Sequence, residues 1–136
     1  MRRMSFSMTK RQYLDHSKDV TRRLGWLFLV GCKPGEEHFM GVEKGMGLKK
    51  GQKQVELGPS GVLSARREPL WAITDEDVLR EGFPDKNRDW LIDFFCRANS
   101  CRPDTMVTRI EYKQEFPAVV GAPVALPDEV TREIEL

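Results

Sequence analysis

The sequence predicts an α+β fold: a small barrel or half-barrel of short strands with two or three helices packed on it. Three observations predict it. Apolar runs of strand length are separated by glycine- and proline-rich turns through the first half of the chain. Between residues 73 and 99 the apolar spacing changes to the helical period. From Met106 to Lys113 it returns to alternation, with Met106, Thr108, Ile110 and Tyr112 on one side and Val107, Arg109, Glu111 and Lys113 on the other.

Taken in order, Ser5 to Met8 is a first short strand, and Tyr13 and Leu14 sit on a helical turn after it. The run Trp26 to Val30 is too short for a helix and reads as a buried strand. Lys33-Pro34-Gly35-Glu36 has the composition of a turn, because proline presets one backbone angle and glycine accepts a positive one. His38 to Val42 is the next strand. A basic loop with Gly45, Gly47 and Gly51 follows, then a turn at Gly58-Pro59-Ser60-Gly61 and a strand from Val62 to Arg67. Thr74 is placed to cap a helix, with Asp77 at its third position, Ile73 and Val78 as an apolar staple, and Gly82 as its stop. A second helix covers Asp85 to Asn99, where Trp90, Leu91, Phe94, Phe95 and Ala98 share a face.

A chain of 136 residues suits one core, since two would each bury too little apolar surface. The domain is expected over residues 1–116, with an extended or flexible proline-containing tail over 117–136, where Glu129 to Leu136 can form a short helix. The first ten residues are too short and too interrupted for a signal peptide. The longest apolar run falls far short of the roughly 20 residues that cross a bilayer. Cys32, Cys96 and Cys101 are an odd set, read as reduced, partly buried thiols in a cytoplasmic protein. The two histidines and three cysteines lack zinc spacing, and the glycine loop lacks the Gly-Lys-Ser/Thr ending of a phosphate loop, so neither metal nor cofactor is expected.

The net charge of +1 conceals a gradient. Seven basic residues stand against Asp15 and Asp19 in the first 23, whereas the last nine are acidic on balance. Such a gradient steers an anionic ligand towards the N-terminal half. Lys18, Thr21, Arg22 and Arg23 place an ammonium, a hydroxyl and two guanidinium groups within six residues, suited to an anionic or carbonyl-bearing ligand, or to a solvated charged face. Trp26 lies beside them as a candidate stacking or core aromatic. Glu81 closes the first predicted helix, where a carboxylate faces the negative end of the macrodipole, so local stability does not account for it.

The segment Lys18-Asp19-Val20-Thr21-Arg22-Arg23, with the Pro34-Gly35 turn beyond it, resembles the signature of ASCH domains, relatives of the PUA RNA-binding barrel. The resemblance spans residues 4 to 116 and implies a PUA-like small β-barrel that binds RNA or a modified nucleoside; Arg23 of its pattern, with the neighbouring Arg22 and Trp26 of the basic segment, are the candidate binding residues. His16 occupies the place of a glycine usual two residues before the lysine. In members that hydrolyse the amide of N4-acetylcytidine, a lysine, a threonine and a later glutamate after a Leu/Ile-Thr pair are catalytic. Lys18, Thr21 and Glu81, after Ile73-Thr74, match those places. The resemblance leaves binding and amide hydrolysis both open. A different class of reading is a non-enzymatic adaptor whose acidic tail recruits a protein partner.

Overall fold

The structure, a computed structural model, describes residues 1–45 and 47–119. Five strands form one mixed sheet, curled into a half-barrel: β1 (Arg2–Ser5), β2 (Val20–Arg23), β3 (His38–Val42), β4 (Glu56–Pro69) and β5 (Met106–Gln114), in the order β1-β3-β4-β5-β2. Only β1 and β3 are parallel; the other neighbours are antiparallel. Three helices complete the fold: α1 (Lys10–Leu14), α2 (Asp75–Arg80) and α3 (Arg88–Asn99).

The alternation along β5 divides the interior. Ile110 and Tyr112 face a barrel core with Met4, Phe6, Tyr13, Phe39 and Val62, whereas Val107 joins Leu70, Ile73, Val78, Leu91, Ile92 and Phe95 under the helices. Helix α2 starts where its chemistry dictates: the Asp77 amide donates to Thr74 Oγ1 at 3.1 Å. Helix α3 begins three residues later than its apolar spacing predicts, because Asn87 caps it by accepting from the Trp90 amide at 2.9 Å. Cys32, Cys96 and Cys101 are free and partly buried.

Four segments differ from the sequence reading. The turn expected at Gly58-Pro59-Ser60-Gly61 is instead continuous strand within β4, paired with β3 next to a register shift, where glycine and proline mark an irregular ladder rather than a chain reversal. Trp26 to Val30 is not a buried strand: Leu27–Leu29 is a single 3-10 turn, entered by Trp26 at φ 61°, with Leu27, Phe28 and Val30 exposed. A short apolar run carries no periodicity long enough to separate strand from turn. Conversely, the basic stretch Val20–Arg23 is a strand with every residue buried. The first strand also starts earlier, at Arg2 rather than Ser5. Residues 120–136, most of the expected tail, lie outside the described residues; before them the Val119 amide donates to Leu14 O at 2.9 Å. Among the described residues no helix is long and apolar enough to cross a membrane.

Tyr13 anchors the barrel end. Its ring is fully buried, stacks on Phe6 at 4.1 Å, and its hydroxyl lies 2.7 Å from both Gly58 O and Ser60 Oγ. A Cβ at Gly41 would clash with Cε2 and Cζ of that ring. Gly41→Ala is therefore expected to lower stability by about 3 kcal/mol or more, at the upper end of overpacking effects, in urea unfolding. The same change at Gly25, whose Cβ position meets nothing within 4 Å, serves as the control.

Candidate functional site

Side chains alternate along β2, so its two arginines serve opposite faces. Arg22 points to the helix layer. Its Nη1 donates to Glu81 Oε2 at 2.7 Å, and its Nη2 donates to Asp77 Oδ2 at 2.5 Å and to Glu68 Oε2 at 3.3 Å. Asp77 also accepts from Arg109, at 2.7 Å from Nε and 3.1 Å from Nη2. Asp77 and Glu81 present carboxylates to one side because four residues separate them on α2 and its cap.

Lys18 enters the same cluster from the turn before β2. Its Nζ donates to Glu81 O at 3.0 Å and lies 3.7 Å from Glu81 Oε1, an oxygen with no hydrogen bond among the described residues. Lys18, Arg22 and Arg109 thus oppose Glu68, Asp77 and Glu81. Lys18 and Glu81 are 0% exposed and Arg22 1%, so the basic segment is neither a solvated face nor the lining of an open cleft in this conformation. Burial would raise the Asp77 carboxyl, yet the hydrogen bonds from Arg109 and Arg22 outweigh it and hold the group well below the usual carboxylate range. Burial likewise opposes the Arg22 charge, and Glu81 and Asp77 more than offset it, raising its pKa.

Thr21 and Arg23 take the other face of β2. Arg23 Nε donates to Thr21 Oγ1 at 3.2 Å, its Nη2 donates to Ser5 O at 2.7 Å, and its guanidinium lies 5.2 Å from the Phe6 ring centre. Because Ser5 ends β1 and Arg23 ends β2, this side chain links the two edge strands of the curled sheet. The structure therefore brings Lys18, Arg22 and Glu81 into one cluster and engages the Thr21 hydroxyl with Arg23. Trp26 stands apart, packed against the barrel core 6.4 Å from Phe39 and 5.6 Å from Phe28. His16 adopts φ 65°, a left-handed conformation that glycine reaches without strain.

Sequence reasoning missed Glu68, Asp77 as an ion-pair partner, and Arg109. One signal was present for Arg109: it alternates with Val107 on the face of β5 that carries core. Glu68 bonds locally to Arg66 at 2.8 Å, and nothing in the sequence marks its second partner, Arg22, 46 residues earlier. Among the described residues no group of three or more His, Cys, Asp or Glu side chains is placed to hold a metal ion.

Two solved structures share this architecture. An ASCH domain from Lactobacillus crispatus JV V101 superposes with a TM-score of 0.53 at 13% identity, covering 83% of this chain and 79% of that one. The chain has the fold of an ASCH domain. Protein EF3133 from Enterococcus faecalis V583, described under the family label DUF984, gives 0.51 at 14% identity, over 78% of this chain and 69% of that one. No protein-family model matches the sequence, and no curated protein matches it.

A concave opening is lined in part by Gly82, the residue after Glu81. It holds about 680 Å³ and is bounded by α1, the end of α2 and the first turns of α3. Gly82 has φ +100°, and Gln12 Cγ would stand 2.8 Å from a Cβ there, with Lys18 Cβ at 3.5 Å. One residue thus separates the cavity from the Lys18–Glu81 pair of this ASCH-fold chain.

Because Asp77 titrates lower when folded than unfolded, its contribution is fully present above about pH 4 and is lost as pH falls below that. Asp77→Asn is expected to cost about 3 kcal/mol at neutral pH by leaving Arg22 and Arg109 short of a partner. It is also expected to flatten the acid limb of stability measured by urea unfolding from pH 7 to 3. Glu111, lowered chiefly by its hydrogen bond from Arg80, leaves a smaller residual slope in the same window.

Proposed function

We propose that this ASCH-fold domain binds RNA or a modified nucleoside beside the Lys18–Arg22–Glu81 cluster. The observation that carries the reading is that Gly82, the residue directly after Glu81 of that cluster, lines a cavity large enough for a nucleoside. The likeness to an ASCH domain supports it through the fold, and Arg2, Arg3 and Arg11, all exposed, add positive charge at the N-terminal half. In this reading the buried ions hold α2 and Gly82 in place, and the ligand meets the cavity wall rather than the ions themselves.

Amide hydrolysis at an N4-acylated cytidine is a second reading, favoured by the contact of Lys18 with Glu81. The pairings count against it as the resting mechanism. Thr21 Oγ1 accepts from Arg23, and Lys18 is held by two contacts to Glu81, so a Lys18 acting as base on Thr21 first has to leave Glu81. Binding needs no such rearrangement of the pairs.

Titration of single-stranded RNA and of nucleosides into the protein at low salt is expected to show binding of at least one class; no binding of either would overturn the reading. For hydrolysis, N4-acetylcytidine is incubated with the wild type and with Thr21→Val, a change that keeps side-chain volume. Turnover that disappears in Thr21→Val at unchanged melting temperature supports the second reading, whereas absent turnover, or turnover retained in the variant, removes it.

A further inference from the structure

Helix α3 closes on a pair of thiols. Ser100, which caps it, takes the left-handed conformation at φ 50° and ψ 47°, and beyond it the Cys101 amide donates back to Cys96 O at 3.1 Å. A bond over that span, carried across one left-handed residue, is a helix ending of the Schellman type, in which the first and last side chains of the span meet. Here both are cysteines. Each is free and partly buried, both pack on the core under the helices, and the Cys96 thiol is hydrogen-bonded to Cys101. Cys32 packs against the barrel core instead. Neither the charge cluster nor the cavity uses any of the three.

We propose that Cys96 and Cys101 are a redox modification site, at which a low-molecular-weight disulfide such as glutathione disulfide drives a reversible bond tying the end of α3 to the entry of β5. Cys101 opens the turn that leads into β5 at Met106. That turn is already bonded to the exit of β4, since Pro103 O and Thr105 O accept from the Trp71 and Leu70 amides at 2.9 Å. A link between the two sulfurs therefore closes a short ring at the joint of helix layer and sheet. The chemistry runs in two exchanges. The Cys101 thiolate attacks one sulfur of glutathione disulfide, releases one glutathione thiolate and leaves a mixed disulfide; the Cys96 sulfur then attacks that of Cys101 and releases the second glutathione. Two protein thiols give up two protons and two electrons, and one glutathione disulfide becomes two glutathione thiols. Burial, with Cys101 beside it, pushes the Cys96 thiol up to about 11, so Cys96 keeps its proton and enters second, once the mixed disulfide stands next to it.

For the test, the full chain is incubated with glutathione disulfide, quenched in acid, alkylated, digested with trypsin and weighed by mass spectrometry. Arg97 separates the two cysteines, so the expected product is residues 89–97 joined to residues 98–109, with Cys32 outside the link. Its yield is expected to be independent of protein concentration, and the oxidised chain to melt about 3 °C or more higher until dithiothreitol restores the original value. Cys96→Ser is expected to stop at a glutathione adduct on Cys101. Cys101→Ser is expected to take up glutathione at Cys96 about tenfold or more slowly than the wild type forms its link, because burial keeps the remaining sulfur protonated. Cysteines 96 and 101 that both stay alkylatable, a glutathione adduct that persists on the wild type, or a link to Cys32 overturns the proposal. So does a melting temperature that falls on oxidation, since the native helix ending then has to distort to form the bond. Because neither cysteine lines the cavity, each of these outcomes is separate from the success or failure of the binding reading.

Discussion

Arg22 is the side chain around which helix and sheet have to be arranged. A guanidinium stays charged under all physiological conditions, and burying one costs several kcal/mol unless carboxylates meet it with good geometry. At 1% exposure on a four-residue strand, Arg22 has no local partner. Its carboxylates come from the edge of β4 and from α2, 46 to 59 residues later in the chain. Helix α2 must therefore dock against β2 with Asp77 and Glu81 facing inward. The Thr74 cap fixes where that helix begins and so which of its faces carries the two acids. Arg109 and Lys18 then balance the charge that Arg22 alone leaves over.

The adjacent arginine has a different task for a geometric reason. With period-two alternation, a charge next to Arg22 cannot share its partners, and Arg23 instead spans from β2 to the carbonyl that ends β1. The two edge strands of the sheet are thereby joined by a side chain where no backbone ladder exists, and unpaired edge groups are reduced. Both arginines are thus occupied by the fold.

Legibility in the sequence followed the range over which each feature is determined. Helix α2 was readable to the residue at its start because a cap is a contact across three positions, and its end was readable because Gly82 takes φ +100°. Strand β5 was readable because nine residues show alternation. Strand β2 was not, since Thr21, Arg22 and Arg23 have no apolar pattern and are buried only by partners far along the chain. The opposite error at Trp26 to Val30 has the same origin: five apolar residues suggest burial, and whether the fold supplies a surface to cover them is not a local property. The association of Lys18 with Glu81 came from the family resemblance, beside one physical signal, a carboxylate at the end of α2 that local stability does not explain. The buried, charge-balanced character of the cluster had no sequence counterpart, because Glu68 and Arg109 lie outside that pattern.

Gly82 links the two halves of the functional argument. The peptide after Glu81 turns through a left-handed conformation, and its carbonyl accepts from Gln12 while the preceding carbonyl accepts from Lys18. Consecutive backbone oxygens of one short segment therefore face a cavity residue and a cluster residue. Gln12 and Lys18 therefore hold one short backbone segment from its two sides through two hydrogen bonds to adjacent peptides. Behind Lys18, the buried pairs of Arg22 and Arg109 with Glu68, Asp77 and Glu81 fix that segment from the sheet side, and Arg66 and Glu111 extend the network outward from Glu68 and Arg109.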